Sequence, residues 1–172
     1  MKPAAPAPPV ASAFELRFSP SNQLITTVRR FVLSFYTEVL GDDEISSRLA
    51  VATHELLENA VKYGRRDEAA LAVTVNPEGS RFTVVVSIRN ESEAVHIDEA
   101  ERVIAALRGA SDVFSHYQQL MGEVALRVDG SGLGLARIAA ESGMGLEVVR
   151  HGAEIEIRAA ASYPVAAAAE PG

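Results

Sequence analysis

His54-Glu55-Leu56-Leu57-Glu58-Asn59-Ala60-Val61-Lys62-Tyr63-Gly64, residues 54–64, is the stretch whose reading decides the fold. At 100° per residue, Asn59 lies about 40° around a helix from Glu55, and Lys62 about 20° to the other side. The three polar groups therefore share one narrow stripe. The apolar stripe runs beside it, with Ala52, Leu56 and Tyr63 nearest. A polar stripe that borders a buried face belongs at a cleft, not in open solvent. A plain surface helix is the alternative, because Glu55–Asn59 and Glu58–Lys62 are ordinary i,i+4 neighbours worth about 0.2–0.5 kcal/mol a pair.

Working outward, Asp42-Asp43 start this helix, Ile45, Leu49, Ala52, Leu56, Ala60 and Tyr63 form its apolar stripe, and Gly64 is its C′ residue. Upstream, Ser21-Asn22 offer an N-cap to a helix carrying Leu24, Val28, Phe31, Phe35 and Val39, which Gly41 ends. Before it, Phe14, Leu16 and Phe18 alternate along a strand over 13–19. Downstream, ALAVTVN (70–76) turns at Pro77-Glu78-Gly79-Ser80 into RFTVVVSI (81–88), a hairpin by turn chemistry and β-branched content. Residues 98–128 read as helical with a break at Gly109. A short helix over 135–141 ends at Gly143, and strands at 146–150 and 154–158 close the pattern. The order β-α-α-β-β-α-β-β predicts an α+β fold: a two-layer α/β sandwich, with a mixed sheet and its helices on one face.

Gly130-Ser131-Gly132-Leu133-Gly134-Leu135 opens that short helix. Without Cβ atoms the backbone can approach a phosphate and direct several N–H groups at it, beside the positive end of a helix. The loop is not a P-loop, since no Gly-Lys-Ser/Thr follows, and its spacing is not the dinucleotide fingerprint. On residue chemistry alone, Asn59 offers a hard oxygen for Mg²⁺, Glu55 a carboxylate to accept a proton, and Lys62 a charge for phosphate. A zinc site is excluded at His54-Glu55, because Glu58 stands where H-E-x-x-H needs its second histidine. The other histidines, His96, His116 and His151, form no ligand cluster.

Composition narrows the classes further. The 172 residues suit one domain, read here as 13–158. The Pro/Ala-rich ends, 1–12 and 159–172, read as disordered tails. Net charge is −7 and the 16 basic residues form no run or stripe, which argues against nucleic acid as a partner. The absence of cysteine fits a reducing cytoplasm. Met1-Lys2 leads into prolines and alanines and not into the apolar core of a signal peptide, and no apolar run reaches a membrane span. The apolar, weakly charged first helix and edge strand are a candidate homodimer surface.

With both segments placed, the body of the chain resembles the histidine-kinase-like ATPase domains shared by sensor histidine kinases, anti-sigma-factor serine kinases, Hsp90, gyrase and MutL. Glu55, Asn59, Ala60, Lys62 and Tyr63 match that superfamily's Glu-x-x-x-Asn-Ala-x-Lys-Tyr/His helix, and 130–135 match its Gly-x-Gly-Leu-Gly-Leu loop. The strand end at Asn90, Tyr117-x-x-Leu120 and the run 132–142 resemble the stand-alone anti-sigma-like serine/threonine kinases, SiaB-type included.

The resemblance implies a Bergerat-type ATP-binding fold with Asn59 as Mg²⁺ ligand and Glu55 as catalytic base. It implies Lys62 and Tyr63 near the nucleotide, Asn90 at adenine, and Gly130, Gly132, Leu133 and Gly134 around the phosphates. A lid would span about 94–129, and a small signalling protein would be the partner. The chain departs from the family where Asp-x-Gly-x-Gly is usual: Asn90-Glu91-Ser92-Glu93-Ala94 stand there. An amide accepts without charge, a bond weaker by about 1 kcal/mol. Two readings stay open, a cytoplasmic ATP-dependent protein kinase or switch, and a binding module that keeps the fold without turnover.

Overall fold

The computed structural model of the chain describes residues 10–124 and 132–165. Strand β1 (Ser12–Phe18) leads into helices α1 (Asn22–Leu40) and α2 (Asp43–Tyr63), then into the hairpin β2 (Gly64–Glu78) and β3 (Arg81–Ser92). Helices α3 (Ala94–Gly109) and α4 (Val113–Val124) follow. A short α5 (Leu133–Arg137) widens into a π turn over Ile138–Ser142, and the hairpin β4 (Gly145–His151) and β5 (Glu154–Pro164) completes the described residues.

Local chemistry accounts for the first two helices. Ser21 Oγ accepts from the Leu24 amide at 3.2 Å, and Gly41 closes α1 with a left-handed φ of 63°. Asp42 Oδ1 accepts from the Ile45 amide at 2.9 Å, with Asp43 and Glu44 in the first turn and Lys62 in the last, as the helix dipole favours. α1 buries Ile25, Val28, Val32, Tyr36 and Leu40. Between the helices the wholly buried Tyr36 hydroxyl meets Thr53 Oγ1 at 3.2 Å, and Thr53 in turn donates to Leu49 O at 2.8 Å.

The sheet order is β1-β2-β3-β5-β4. Alternation along β3 buries Phe82, Val84, Val86 and Ile88 against the helices and leaves Thr83, Val85, Ser87 and Arg89 on the other face. The two-layer sandwich with helices on one face is thus present. The mixed sheet is not: all four pairings are antiparallel. Passage through two successive helices leaves β2 running against β1, and β4 and β5 form a tight hairpin. β5 takes the place beside β3, so no two strands of like direction become neighbours.

Three boundaries also move. β5 runs to Pro164, six residues beyond the expected end of the domain, because Ala159 and Ala161 pair with Val86 and Val84 of β3. β1 begins at Ser12 rather than Ala13. α3 starts at Ala94, earlier than the expected 98. Gly64 ends α2 as expected but is extended, not left-handed, with φ −70° and ψ 140°. Glycine is needed there for room, since a Cβ would lie 2.4 Å from Ala60 O.

Two predictions follow the packing. Gly64→Ala is expected to destabilise the fold by about 1–3 kcal/mol. Gly109→Ala, where an added Cβ meets nothing within 4 Å, is expected to be neutral or to stabilise by about 0.4–1 kcal/mol. Urea titration of both variants reads this directly. The second concerns Tyr163, whose hydroxyl donates to Ser142 O at 2.8 Å and whose burial pushes its pKa up to about 12 from 10.0. A raised folded-state value means the stabilising contribution is full below the unfolded pKa and is lost as pH rises through the folded one. Melting temperature should therefore fall between pH 10 and 12, and Tyr163→Phe should remove part of that fall.

Candidate functional site

α2 presents Glu55, Asn59 and Lys62 in order along one side, as the periodicity predicts, and the Gly loop comes to meet them. Gly132 takes φ 87° before α5, and a Cβ on it would lie 2.9 Å from Val103 Cγ2 of α3. A Cβ on Gly134 would lie 2.7 Å from Glu55 Oε2 and 3.8 Å from Asn59 Nδ2. A Cβ on either glycine would make a neighbouring side chain shift, and Gly132 is also set apart by its left-handed backbone. Leu133 is partly buried and packs on the core. Gly130 and Ser131 lie outside the described residues.

Beside this junction is a cavity of about 550 Å³, walled by α2, β3, α3, β5 and the start of α5. That is the size of a small-molecule site. Asn59, Lys62, Tyr63, Asn90 and Gly132 of the predicted set all line it. Its floor is apolar, from Ile88, Ile155, Ile157 and Leu135. At the rim the Lys62 ammonium stands 5.0 Å from the Tyr63 ring centre, and Tyr63 packs on His96 of α3 at 4.9 Å between ring centres.

The departure at 90–94 has a structural role. Asn90 is buried on β3, and its Nδ2 donates to Glu91 O at 2.9 Å, which leaves Oδ1 as its acceptor toward a ligand. Ser92 Oγ donates to Tyr63 O at 2.8 Å and satisfies a carbonyl at the open C-terminal end of α2. Ala94 begins α3. These residues fasten the end of α2 and start the next helix, where glycines would do neither.

The structure also brings in a residue that the sequence did not flag. Arg137, on α5, donates from Nη1 to Glu55 Oε1 at 2.9 Å and from Nε to Glu141 Oε2 at 3.0 Å. Tyr117 of α4 donates to Glu141 Oε1 at 3.4 Å. The Glu55 side chain keeps 12 % of its exposure and that of Arg137 42 %. The hydrogen bond that Arg137 donates to Glu141 raises the Arg137 pKa, and burial followed by the Glu141 charge raises that of Tyr117. A chain of polar contacts thus links α4 to Glu55. The i,i+4 spacing of Arg137 and Glu141 is readable in the sequence; the 82-residue jump to Glu55 is not.

For Mg²⁺ the donor set is lean. Among the described residues no group of three or more His, Cys, Asp and Glu stands ready for a metal. Asn59 offers one oxygen, which suits an ion that keeps several waters and shares phosphate oxygens. The lining supplies groups of the kind a nucleotide uses: amides at Asn90 and Asn59, the Lys62 ammonium and an apolar floor.

No protein-family model matches the chain, and no curated protein does. Solved structures do. One chain of the SiaB–SiaC complex from Pseudomonas aeruginosa matches with a TM-score of 0.66 at 20 % identity, over 86 % of this chain and 88 % of that one. The RsbU and RsbW domains of Rv1364c from Mycobacterium tuberculosis match with a TM-score of 0.56 at 14 % identity, over 90 % of this chain and 34 % of that one. The fold is shared. No helix among the described residues is long and apolar enough to cross a membrane.

The Arg137–Glu55 contact should register in stability. A double-mutant cycle of Arg137→Ala and Glu55→Gln, read by chemical denaturation, is expected to give a coupling of about 0.5–1.5 kcal/mol. A coupling near zero would show that the pair holds nothing together.

Proposed function

We propose that the chain is a nucleotide-dependent signalling protein: it binds Mg-ATP in the α2–β3–α3 cavity and acts on a small protein partner, as an anti-sigma-like serine/threonine kinase or switch. One observation carries this reading. Two segments seventy-odd residues apart meet at the same cavity, where Cβ atoms on the glycine loop would crowd Val103 and the Glu55 carboxylate. A structural connection has no need of that approach. A phosphate-binding loop does.

In this reading Asn90 Oδ1 accepts from the adenine amino group over an apolar floor. Lys62 and the backbone amides of Gly132, Leu133 and Gly134 face the phosphates, with Gly130 on the same loop, and Asn59 contributes an oxygen to Mg²⁺. Tyr63 and His96 wall the mouth. Bound ATP would supply the phosphoryl group. Glu55 would take the proton of a partner hydroxyl, with its Oε1 held by Arg137. The partner is proposed as a protein because one structure sharing this fold is of a complex, SiaB with SiaC, and another holds an RsbU and an RsbW domain together. The setting proposed for this traffic is the cytoplasm.

A second reading is favoured by Arg137: a module that binds ATP or a partner without turnover, its Glu55 tied down by the guanidinium. Calorimetric titration tests the shared part. Mg-ATP is expected to bind in the micromolar range, with Asn59→Ala or a chelator weakening it at least about tenfold, the loss of one good charged contact. Absence of heat at millimolar ATP would sink the nucleotide reading. With binding in hand, incubation with ATP, Mg²⁺ and small proteins encoded nearby separates the two. Phosphate transfer that Glu55→Gln abolishes marks the kinase; binding without transfer marks the module.

A further inference from the structure

We propose that Asn90 meets the base twice, as acceptor to the adenine amino group and as donor to adenine N1, and that the Glu91 carbonyl decides this selection by fixing which way the amide faces. The inference rests on the nucleotide reading of the cavity and adds what chooses the base.

Asn90 is 8 % exposed and lines the cavity. Its amide carries an acceptor oxygen and a pair of N–H donors. One N–H is taken up by Glu91 O at 2.9 Å. Among the described residues nothing donates to Oδ1, yet that oxygen is not sealed in: the buried side-chain atoms there without a partner are Ser46 Oγ and His54 Nδ1. Oδ1 therefore opens on the cavity. Glu91 O belongs to the main chain next door, so the N–H that reaches it is the one turned back from Oδ1. The other N–H lies alongside Oδ1 in the amide plane. Acceptor and donor thus form one edge, side by side.

Adenine presents the complement, an amino N–H beside the bare N1. This is the edge farthest from the sugar, the one that a buried side chain meets when the sugar and phosphates lead outward. Asparagine makes the same kind of paired contact to the amino group and N7 of adenine in DNA. Guanine and hypoxanthine present the reverse, a carbonyl oxygen beside N1–H. To suit either, the amide would have to turn over. Oδ1 would then face Glu91 O, acceptor against acceptor, where little water reaches. The main-chain carbonyl thus makes one orientation of the amide, and with it one base, the favoured one. An aspartate at this position, usual in the domains this chain resembles, has no N–H for Glu91 O and none for N1.

Calorimetric titration of the wild-type chain with the Mg²⁺ complexes of ATP, ITP and 1-deaza-ATP tests this. ITP reverses both groups on the edge; 1-deaza-ATP replaces N1 by C–H and keeps the amino group. ITP is expected to bind at least about tenfold more weakly than ATP. For 1-deaza-ATP the expected loss is about three- to tenfold, that of one neutral hydrogen bond. Asn90→Asp should weaken ATP at least about tenfold and bring ATP and 1-deaza-ATP to the same affinity, since no donor to N1 remains. Circular dichroism checks that the variant is folded, and the comparison of analogues on the wild type decides without it. Equal binding of ATP and 1-deaza-ATP by the wild type, or of ATP and ITP, would overturn the proposal and leave the nucleotide reading standing. So would a folded Asn90→Asp that binds ATP as tightly as the wild type. A wild type that binds no ATP would remove both.

Discussion

A methyl group on residue 134 would press on the Glu55 carboxylate, and the rest of the site depends on that contact being backbone against side chain. α2 can carry a polar stripe into the interior only if something without bulk lies over it. The glycine loop meets that condition and in doing so turns the next helix toward α2. Arg137 then reaches Glu55, and Glu141, one turn later, reaches Tyr117 of α4. Three helices thus meet around the candidate site through these contacts.

How much of this the sequence reveals depends on the range of the forces involved. The caps of α1 and α2, at Ser21, Gly41 and Asp42, are local hydrogen bonds within one turn and are legible as written. So is the β2–β3 hairpin, where Gly79 adopts φ 66°. The stripe of Glu55, Asn59 and Lys62 follows from helical geometry alone. What escaped was tertiary. Ala159 and Ala161 look like tail composition, and only their pairing with β3 makes them strand. Sheet sense depends on which strand inserts beside β3, which no local pattern encodes. Gly64 reads as a left-handed cap by residue type, yet it is there because the Ala60 carbonyl leaves no space. Arg137 finds its main partner across the fold.

The substitutions at 90–94 show how a site can drift while its frame stays. At 14–20 % identity the fold matches other solved structures over most of this chain. Between them the polar details are free to be reassigned, as where Ser92 fastens the Tyr63 carbonyl. A buried hydroxyl that satisfies a helix end is a structural gain of about 1 kcal/mol.

The strand order has a consequence for how the chain is made. β5, last of the five strands, lies between β3 and β4, so β3 has no neighbour on one side until residues 154–164 leave the ribosome. During that interval the first nine-tenths or so of the chain holds a hydrophobic strand with an open edge, Val84, Val86 and Ile88 among its residues. Such an edge is where nascent chains pair wrongly. Synthesis runs at about 5–20 residues per second, so the exposure lasts seconds. Selection on this protein therefore acts on the order in which its edges are covered, as well as on the finished fold.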